Sequence, residues 1–270
     1  MPEGDSVFRL ARRLQFMSGR EVISSDIRVP RFALADFSGR QCEKVWPYGK
    51  HLFMAFGPDI LQTHLKMEGT WSVHRLGDRW RKPAFTARVV LRLADPPNDP
   101  IEIVGHSLGL VRVIKASEYD EAIGYLGPDV LAPEFDAAEA KRRLLLRPDR
   151  TIGAALMDQK NLAGVGNEYR AEILFLAGLH PLRRVGDVDI DQVLAITRRL
   201  MWSNRLSTTR VSTGVKIPGQ TSYVFGRNRK PCRRCGTLIE KGKLGGKDAH
   251  GEEGELERII WWCSQCQPNT

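Results

Sequence analysis

The sequence predicts an α+β chain of three modules: a β-sandwich or barrel flanked by helices, a helical second domain, and a small cysteine-bearing module. Three observations carry this. Eight short β-like runs crowd residues 21–117 without long helices between them, four stretches of helical periodicity follow Gly127-Pro128-Asp129, and two Cys-x2-Cys pairs lie near the end. With 270 residues, 42% of them hydrophobic, and with six Trp and ten Phe to bury, a wholly disordered chain is excluded.

The first element follows from a stripe. Val7, Leu10, Ala11, Leu14 and Met17 recur at helical spacing with Arg9, Arg12 and Arg13 off the apolar face, so a helix is expected, with Asp5 as its N-cap. The texture then changes to REVISSDIRV, CEKVW, KHLFMAF, DILQTHL, TWSVHRL, ARVVLRL, IEIVG and LVRVIKA, separated by Pro, Gly and Asp as strands are. Helical periodicity returns at residues 136–146, 151–159, 167–177 and 187–202, the second and third joined by KNLAGVG. The expected domains are 1–126, 127–222 and 223–270.

Cys232-x2-Cys235 and Cys263-x2-Cys266 supply two thiolate pairs, each able to clamp two corners of a tetrahedron. Four soft sulfur ligands favour one Zn2+ in a closed structural site, which organises a small hairpin and does no chemistry itself. Gly236 suits the turn after the second cysteine, and IIWW before the third reads as a strand. Cys42 stands alone and reads as a small buried residue.

The formal net charge is +9, and its position matters more than its size. Residues 205–247 hold eleven basic residues and a single acid, Glu240, so the surplus is local. A solvated face is the bland explanation, but Tyr223, Phe225 and Pro231 lie within the stretch and it runs into the cysteine motif, which favours a folded phosphate-binding surface. No segment reaches the roughly 18 apolar residues of a membrane span, and MPEGDSVFRLARRL lacks the apolar region of a secretory signal, so a cytoplasmic location is expected.

Pro2 and Glu3 follow the initiator directly. Removal of Met1 would expose a proline secondary amine, whose pKa of about 8 leaves roughly a tenth neutral at pH 7, far more than a lysine offers. Such an amine attacks an aldehydic carbon to give a cationic iminium, an electron sink that acidifies the neighbouring C–H, and Glu3 is placed to pass protons. Otherwise Pro2 is merely the residue before a helix.

These features gain context together. MPEG at the N-terminus, GKHLF, HLKMEGTW, LAGVGNEYRAEIL, VFGR, and terminal CxxCG with CxxCQ resemble, in order and along nearly the whole chain, the formamidopyrimidine-DNA glycosylase and endonuclease VIII family. The resemblance implies an N-terminal β-sandwich with flanking helices, a helical helix-two-turn-helix domain and a C-terminal zinc finger. It implies a monomeric, nucleoid-associated, bifunctional DNA glycosylase and abasic-site lyase acting on damaged DNA. Pro2 then matches the nucleophile at C1′, Glu3 the proton donor that opens the sugar, and Lys50 the lysine of β-elimination. Asn167 matches the asparagine that bonds a phosphate at the damage, with a helix N-cap as its bland role. Arg258 matches the hairpin arginine that enters the minor groove and takes part in δ-elimination. Lys66, Met67 and Glu68 align with the residues that fill the void left by the extruded nucleotide, against a core methionine as the plain reading. Arg227, in VFGR, is carried over as a DNA contact.

The chain also departs from the family. Asp5-Ser6 stands where Pro-Glu is frequent, Tyr125 where related enzymes have a basic residue, and Lys66 and Glu68 are unusual void-fillers. The zinc hairpin carries an acidic insertion, with Asp248, Glu252, Glu253, Glu255 and Glu257, that would tune DNA binding or meet a protein partner. Residues 203–223 look too short and too poor in glycine for the loop that caps oxidised purines, and MPEG points to the endonuclease VIII branch, whose usual substrates are oxidised pyrimidines. The competing reading is a non-catalytic zinc-finger protein that binds damaged or single-stranded DNA.

Overall fold

The computed structural model describes residues 2–244 and 258–269. The acidic insertion expected to modulate binding lies outside the described residues. The chain divides into two compact units, Met1–Tyr125 and Leu126–Thr270.

The first unit is a β-sandwich. Helix α1 (Gly4–Arg13) precedes strands β1 (Val22–Ile27), β2 (Lys44–Tyr48), β3 (His51–Phe56), β4 (Asp59–His64), β5 (Thr70–Arg75), β6 (Ala87–Asp95), β7 (Asn98–His106) and β8 (Leu110–Lys115), and a short helix α2 (Tyr119–Ile123) follows. Every expected run is a strand. One antiparallel sheet has the order β1-β6-β7-β5 and the other β2-β3-β4-β8. Val22, Leu91 and Ile103 of the first meet Val45, Met54 and Leu61 of the second in one core, and the α1 stripe Val7, Leu10, Ala11, Leu14 and Met17 joins it. Cys42 is fully buried in that core, and burial pushes its thiol up to about 12.

The N-terminal cap differs from expectation. Glu3 occupies it, its backbone carbonyl accepting from Ser6 and Val7 at 3.0 and 3.2 Å, while Asp5 sits inside the first turn, fully buried. Asp5 faces Arg9 at 3.6 Å, an i,i+4 ion pair along the helix.

The second unit holds α3 (Ala137–Leu145), α4 (Ile152–Ala155), α5 (Asn167–Ala177), α6 (Ile190–Asn204) and a hairpin of β9 (Glu240–Leu244) with β10 (Arg258–Trp262). Asp136 and Asp189 cap α3 and α6 by accepting from Glu139 and Gln192 N–H at 2.8 and 3.0 Å. The helix expected over 151–159 is a single turn, because Asp158 and Gln159 turn their side chains onto the following loop, at Lys160 N–H and the Val165 carbonyl. Helix α5 is buried from Tyr169 through Phe175, and its Ala171 and Phe175 share a core with Val224, Ile239, Leu244 and Ile260 of the cysteine module. No helix among the described residues is long and apolar enough to cross a membrane.

Candidate nucleic-acid site

In the first unit, α1 packs on β2 and β3, so the N-terminus and the β2–β3 turn belong to one body. Pro2 is half-buried and Glu3 fully buried. Lys50 occupies the β2–β3 turn: Tyr48 pairs with His51, leaving Gly49-Lys50 as a two-residue loop with Gly49 at φ +55. A positive φ at the first loop position suits glycine and matches the twist of the strands.

Lys50 borders two histidines that sequence reasoning missed. His51 and His64 are directly paired across β3 and β4, with ring centroids 4.9 Å apart and edge to face. His51 Nδ1 lies 3.3 Å from Gln62 Nε2, and its Nε2 lies 3.4 Å from the Tyr125 hydroxyl. Burial, the neighbouring ring and the Lys50 charge lower His51 to about 3. Burial, Lys50 and Lys66 lower His64 to about 4, so both rings are neutral at physiological pH. A signal for the pair was present: a hairpin turning at Gly57-Pro58 sets position 51 opposite 64.

His64 also shapes the next turn, since its Nδ1 accepts from Lys66 N–H at 2.8 Å. Lys66 has φ +50, and its stem lies so close to Gly109 that a Cβ there would meet it at 2.4 Å. Met67 is 63% exposed, which excludes the plain reading of a core methionine. Lys66, Met67 and Glu68 thus form a projecting turn, and the charges of Lys50 and Lys66 both bear on His64.

In the second unit, Gly166 caps α5 and Asn167 is its first residue, not its N-cap. Asn167 Nδ2 donates to the Ile259 carbonyl at 2.9 Å, and Arg170, which is 1% exposed, donates to Asn167 Oδ1. The head of α5 is thereby fastened to β10, one residue from the exposed Arg258.

Glu172, fully buried on the same helix, accepts from the backbone N–H groups of Tyr223, Val224 and Phe225 at 2.8, 2.9 and 2.8 Å. Burial raises its carboxyl, and these donors pull the other way. Sequence reasoning gave Glu172 no role because a glutamate in a helix is ordinary until its partners are known. Arg227 donates to the Tyr223 carbonyl and, at 2.8 Å, to that of Pro231. Its guanidinium thus braces the loop that carries it.

Three further arginines of the basic stretch are held in a similar way. Arg233 bonds the carbonyls of Ser222 and Gly219, Arg205 that of Trp202, and Arg234 lies over Phe175 and Tyr223, 4.5 and 5.3 Å from the ring centroids. Such contacts orient a cation without neutralising it. Arg210 differs, pairing with Glu168 at 2.7 Å.

The cysteine Sγ atoms of Cys232, Cys235, Cys263 and Cys266 all lie within 4.8 Å of one another, with near pairs at 3.5 and 3.9 Å. Tetrahedral Zn–S bonds of about 2.3 Å require S···S separations of about 3.8 Å, so the cluster fits a four-thiolate metal site. Gly236 at φ +82 makes the turn that lets Gly236 N–H bond the Cys232 carbonyl at 3.0 Å.

Comparison with known proteins agrees with this geometry. Residues 1–102 match the formamidopyrimidine-DNA glycosylase N-terminal domain and residues 126–208 the formamidopyrimidine-DNA glycosylase H2TH domain. The chain is 39% identical to a probable endonuclease 8 2 of Streptomyces coelicolor, over 99% of this chain and 94% of that protein. It is 38% identical to the DNA-(apurinic or apyrimidinic site) lyase Nei2 of Mycolicibacterium smegmatis, over 99% of both. Its fold matches a Lactococcus lactis formamidopyrimidine-DNA glycosylase solved with DNA containing an AP site, with a TM-score of 0.77 at 22% identity over 99% of this chain and 100% of that one. With both domains matched and near-40% identity sustained from end to end, the chain belongs to the formamidopyrimidine-DNA glycosylase and endonuclease VIII family, on its endonuclease VIII side.

Proposed function

We propose that the protein is a bifunctional DNA glycosylase and abasic-site lyase of base excision repair, with oxidised pyrimidines as its substrates. One observation carries the reading: Pro2 leads directly into a helix capped by a fully buried Glu3, in a chain similar throughout to an AP lyase. Once Met1 is removed, the Pro2 nitrogen forms a bond to C1′ as the bond from C1′ to the base breaks and the base leaves with the electron pair. Glu3 protonates the ring oxygen, the sugar opens, and an iminium remains. Loss of a C2′ proton then expels the 3′ phosphate in a β-elimination that Lys50 serves, and loss of a C4′ proton expels the 5′ phosphate in a δ-elimination that Arg258 serves, each by holding positive charge beside phosphate.

Asn167 is the proposed phosphate contact at the α5 N-terminus, using N–H groups that helix geometry leaves without intrahelical partners. Lys66, Met67 and Glu68 are proposed to enter the space vacated by the damaged nucleotide, Met67 being exposed and flexible enough to do so. Arg227 is the proposed DNA contact of the VFGR segment, its guanidinium oriented by the Tyr223 and Pro231 carbonyls. The metal in the four-cysteine site is Zn2+, held for structure alone. The protein acts as a monomer, and its acidic insertion tunes affinity or meets a protein partner. Unchanged DNA affinity and salt dependence after deletion of residues 246–254 would overturn the tuning role.

Borohydride trapping on abasic-site DNA tests the central claim. A covalent protein–DNA adduct is expected from the processed chain, at least a hundredfold reduced in Pro2→Gly and absent when Met1 is retained. Tight lesion binding with no adduct and no strand nick would instead favour the non-catalytic binder.

A further inference from the structure

The β5–β6 connection, residues 76–86, serves none of the roles above. It reads LGDRWRKPAFT and borders an open concavity of about 830 Å³ lined by Asp78, Arg79, Trp80, Arg81, Lys82 and neighbouring Pro83 and Ala84. Its single acid, Asp78, accepts from the Arg75 backbone N–H at 3.2 Å. Arg79 and Arg81 are exposed, and Phe85 is 81% exposed on the turn Ala84–Thr86.

This loop is held in shape. The Trp80 indole donates to Glu102, meets His106 edge-on with centroids 5.6 Å apart, and lies 5.5 Å from the Arg28 guanidinium. Arg88 donates to the Phe85 carbonyl at 3.0 Å and Arg28 to that of Ala84 at 3.4 Å. The Phe85 backbone is therefore fixed while its ring stays in water. Lys82 Nζ donates to the Glu68 carbonyl at 3.2 Å, so the loop adjoins the projecting Lys66–Glu68 turn.

We propose that residues 79–85 form a docking surface for unpaired nucleotides flanking the damage, with Phe85 stacking on a base and Arg79 and Arg81 pairing with the strand's phosphates. An exposed ring on a fixed backbone beside guanidinium groups is the chemistry that holds single strands, because every base has a stacking face. A fully paired duplex hides those faces and has no use for Phe85. An acidic peptide would match the arginines but leaves the ring unexplained. The location rests on the DNA-repair reading; the binding does not depend on lyase chemistry.

The test compares Phe85→Ala and the double variant Arg79→Ala/Arg81→Ala with the parent chain by fluorescence anisotropy. The probes are a tetrahydrofuran-site duplex with single-stranded arms and a fully paired duplex of the same length. Phe85→Ala is expected to bind the armed DNA about tenfold more weakly and the paired duplex within about twofold of the parent. The double variant should lower the log-affinity against log-salt slope on armed DNA by about 1.4, at about 0.7 for each phosphate left without its arginine. Parent-like binding of armed DNA by both variants overturns the assignment. So does an equal loss on both probes, or loss of a captured acidic protein partner with DNA binding intact. Borohydride trapping on the paired duplex should stay at the parental level, which shows that the variants fold. A parent chain that traps nothing yet binds armed DNA through Phe85 would refute the lyase reading and leave this one standing.

Discussion

Protonating His51 would put a cation into a site that is 8% exposed and already borders Lys50. The folded state therefore takes up a proton at this ring less readily than the unfolded chain does. With the folded value lowered from 6.5 to about 3, the stabilisation is complete above the unfolded value and is lost as pH falls from about 6.5 towards 3. His64, lowered to about 4, adds the same sign over a narrower window. Urea denaturation at pH 7.5 and pH 5 should show the parent losing stability on acidification and His51→Gln losing less of it. Equal slopes would mean that the ring is solvated in the folded state. The same pair bears on what a sequence discloses. Its position follows from counting outward from Gly57-Pro58, but its neutrality depends on burial and on the Lys50 and Lys66 charges, which no local pattern records.

At the scale of elements, α5 does more than its length suggests. One face carries Asn167 and Arg170 to the β10 carbonyl of Ile259, and another carries Glu172 to three successive amides of residues 223–225. Glu172→Ala would leave those donors without their acceptor, at about 1–3 kcal/mol for each one that water does not reach. A loss of at least about 3 kcal/mol is expected by thermal or urea unfolding, with Glu172→Gln milder because one carbonyl acceptor remains. Parent-like stability in Glu172→Ala would show that the loop finds other acceptors. The start and end of α5 were legible from the sequence, because Gly166 and Gly178 bracket the helical stretch from Asn167 to Ala177. The four-residue α4 was not, since its apolar periodicity continues past the point where Asp158 and Gln159 bond the loop instead. Asp5 misled for a similar reason: an acid in the first turn of a helix resembles its cap until the backbone shows that Glu3 takes that place.

For the molecule as a whole, the cysteine cluster and α5 share a core, so a metal held by the four thiolates would act beyond the hairpin. Gln267, fully buried, accepts from Cys263 N–H at 3.0 Å and donates to the Leu179 carbonyl at 2.8 Å, tying the last cysteine pair to the end of α5. A strong chelator should release one equivalent of zinc, lower the unfolding temperature of the second unit and weaken DNA binding, all reversed by Zn2+. Retention of full DNA affinity by metal-free protein would separate the hairpin from binding. The three-module order could be read from texture alone, as could the clustering of the four cysteines from their spacing. The way α5 joins the finger could not, because it runs through backbone amides and carbonyls that carry no residue identity.

The arginines of the basic stretch give that arrangement a further meaning. Arg205, Arg227 and Arg233 are held by backbone carbonyls, so each keeps its charge while giving up much of its rotational freedom at folding. A polyanion approaching them meets a fixed relief of charge instead of a fringe of loose side chains, and less conformational entropy remains to be surrendered on binding. The binding entropy at this surface should therefore be dominated by counterions set free from the phosphates, with little opposing contribution from the protein.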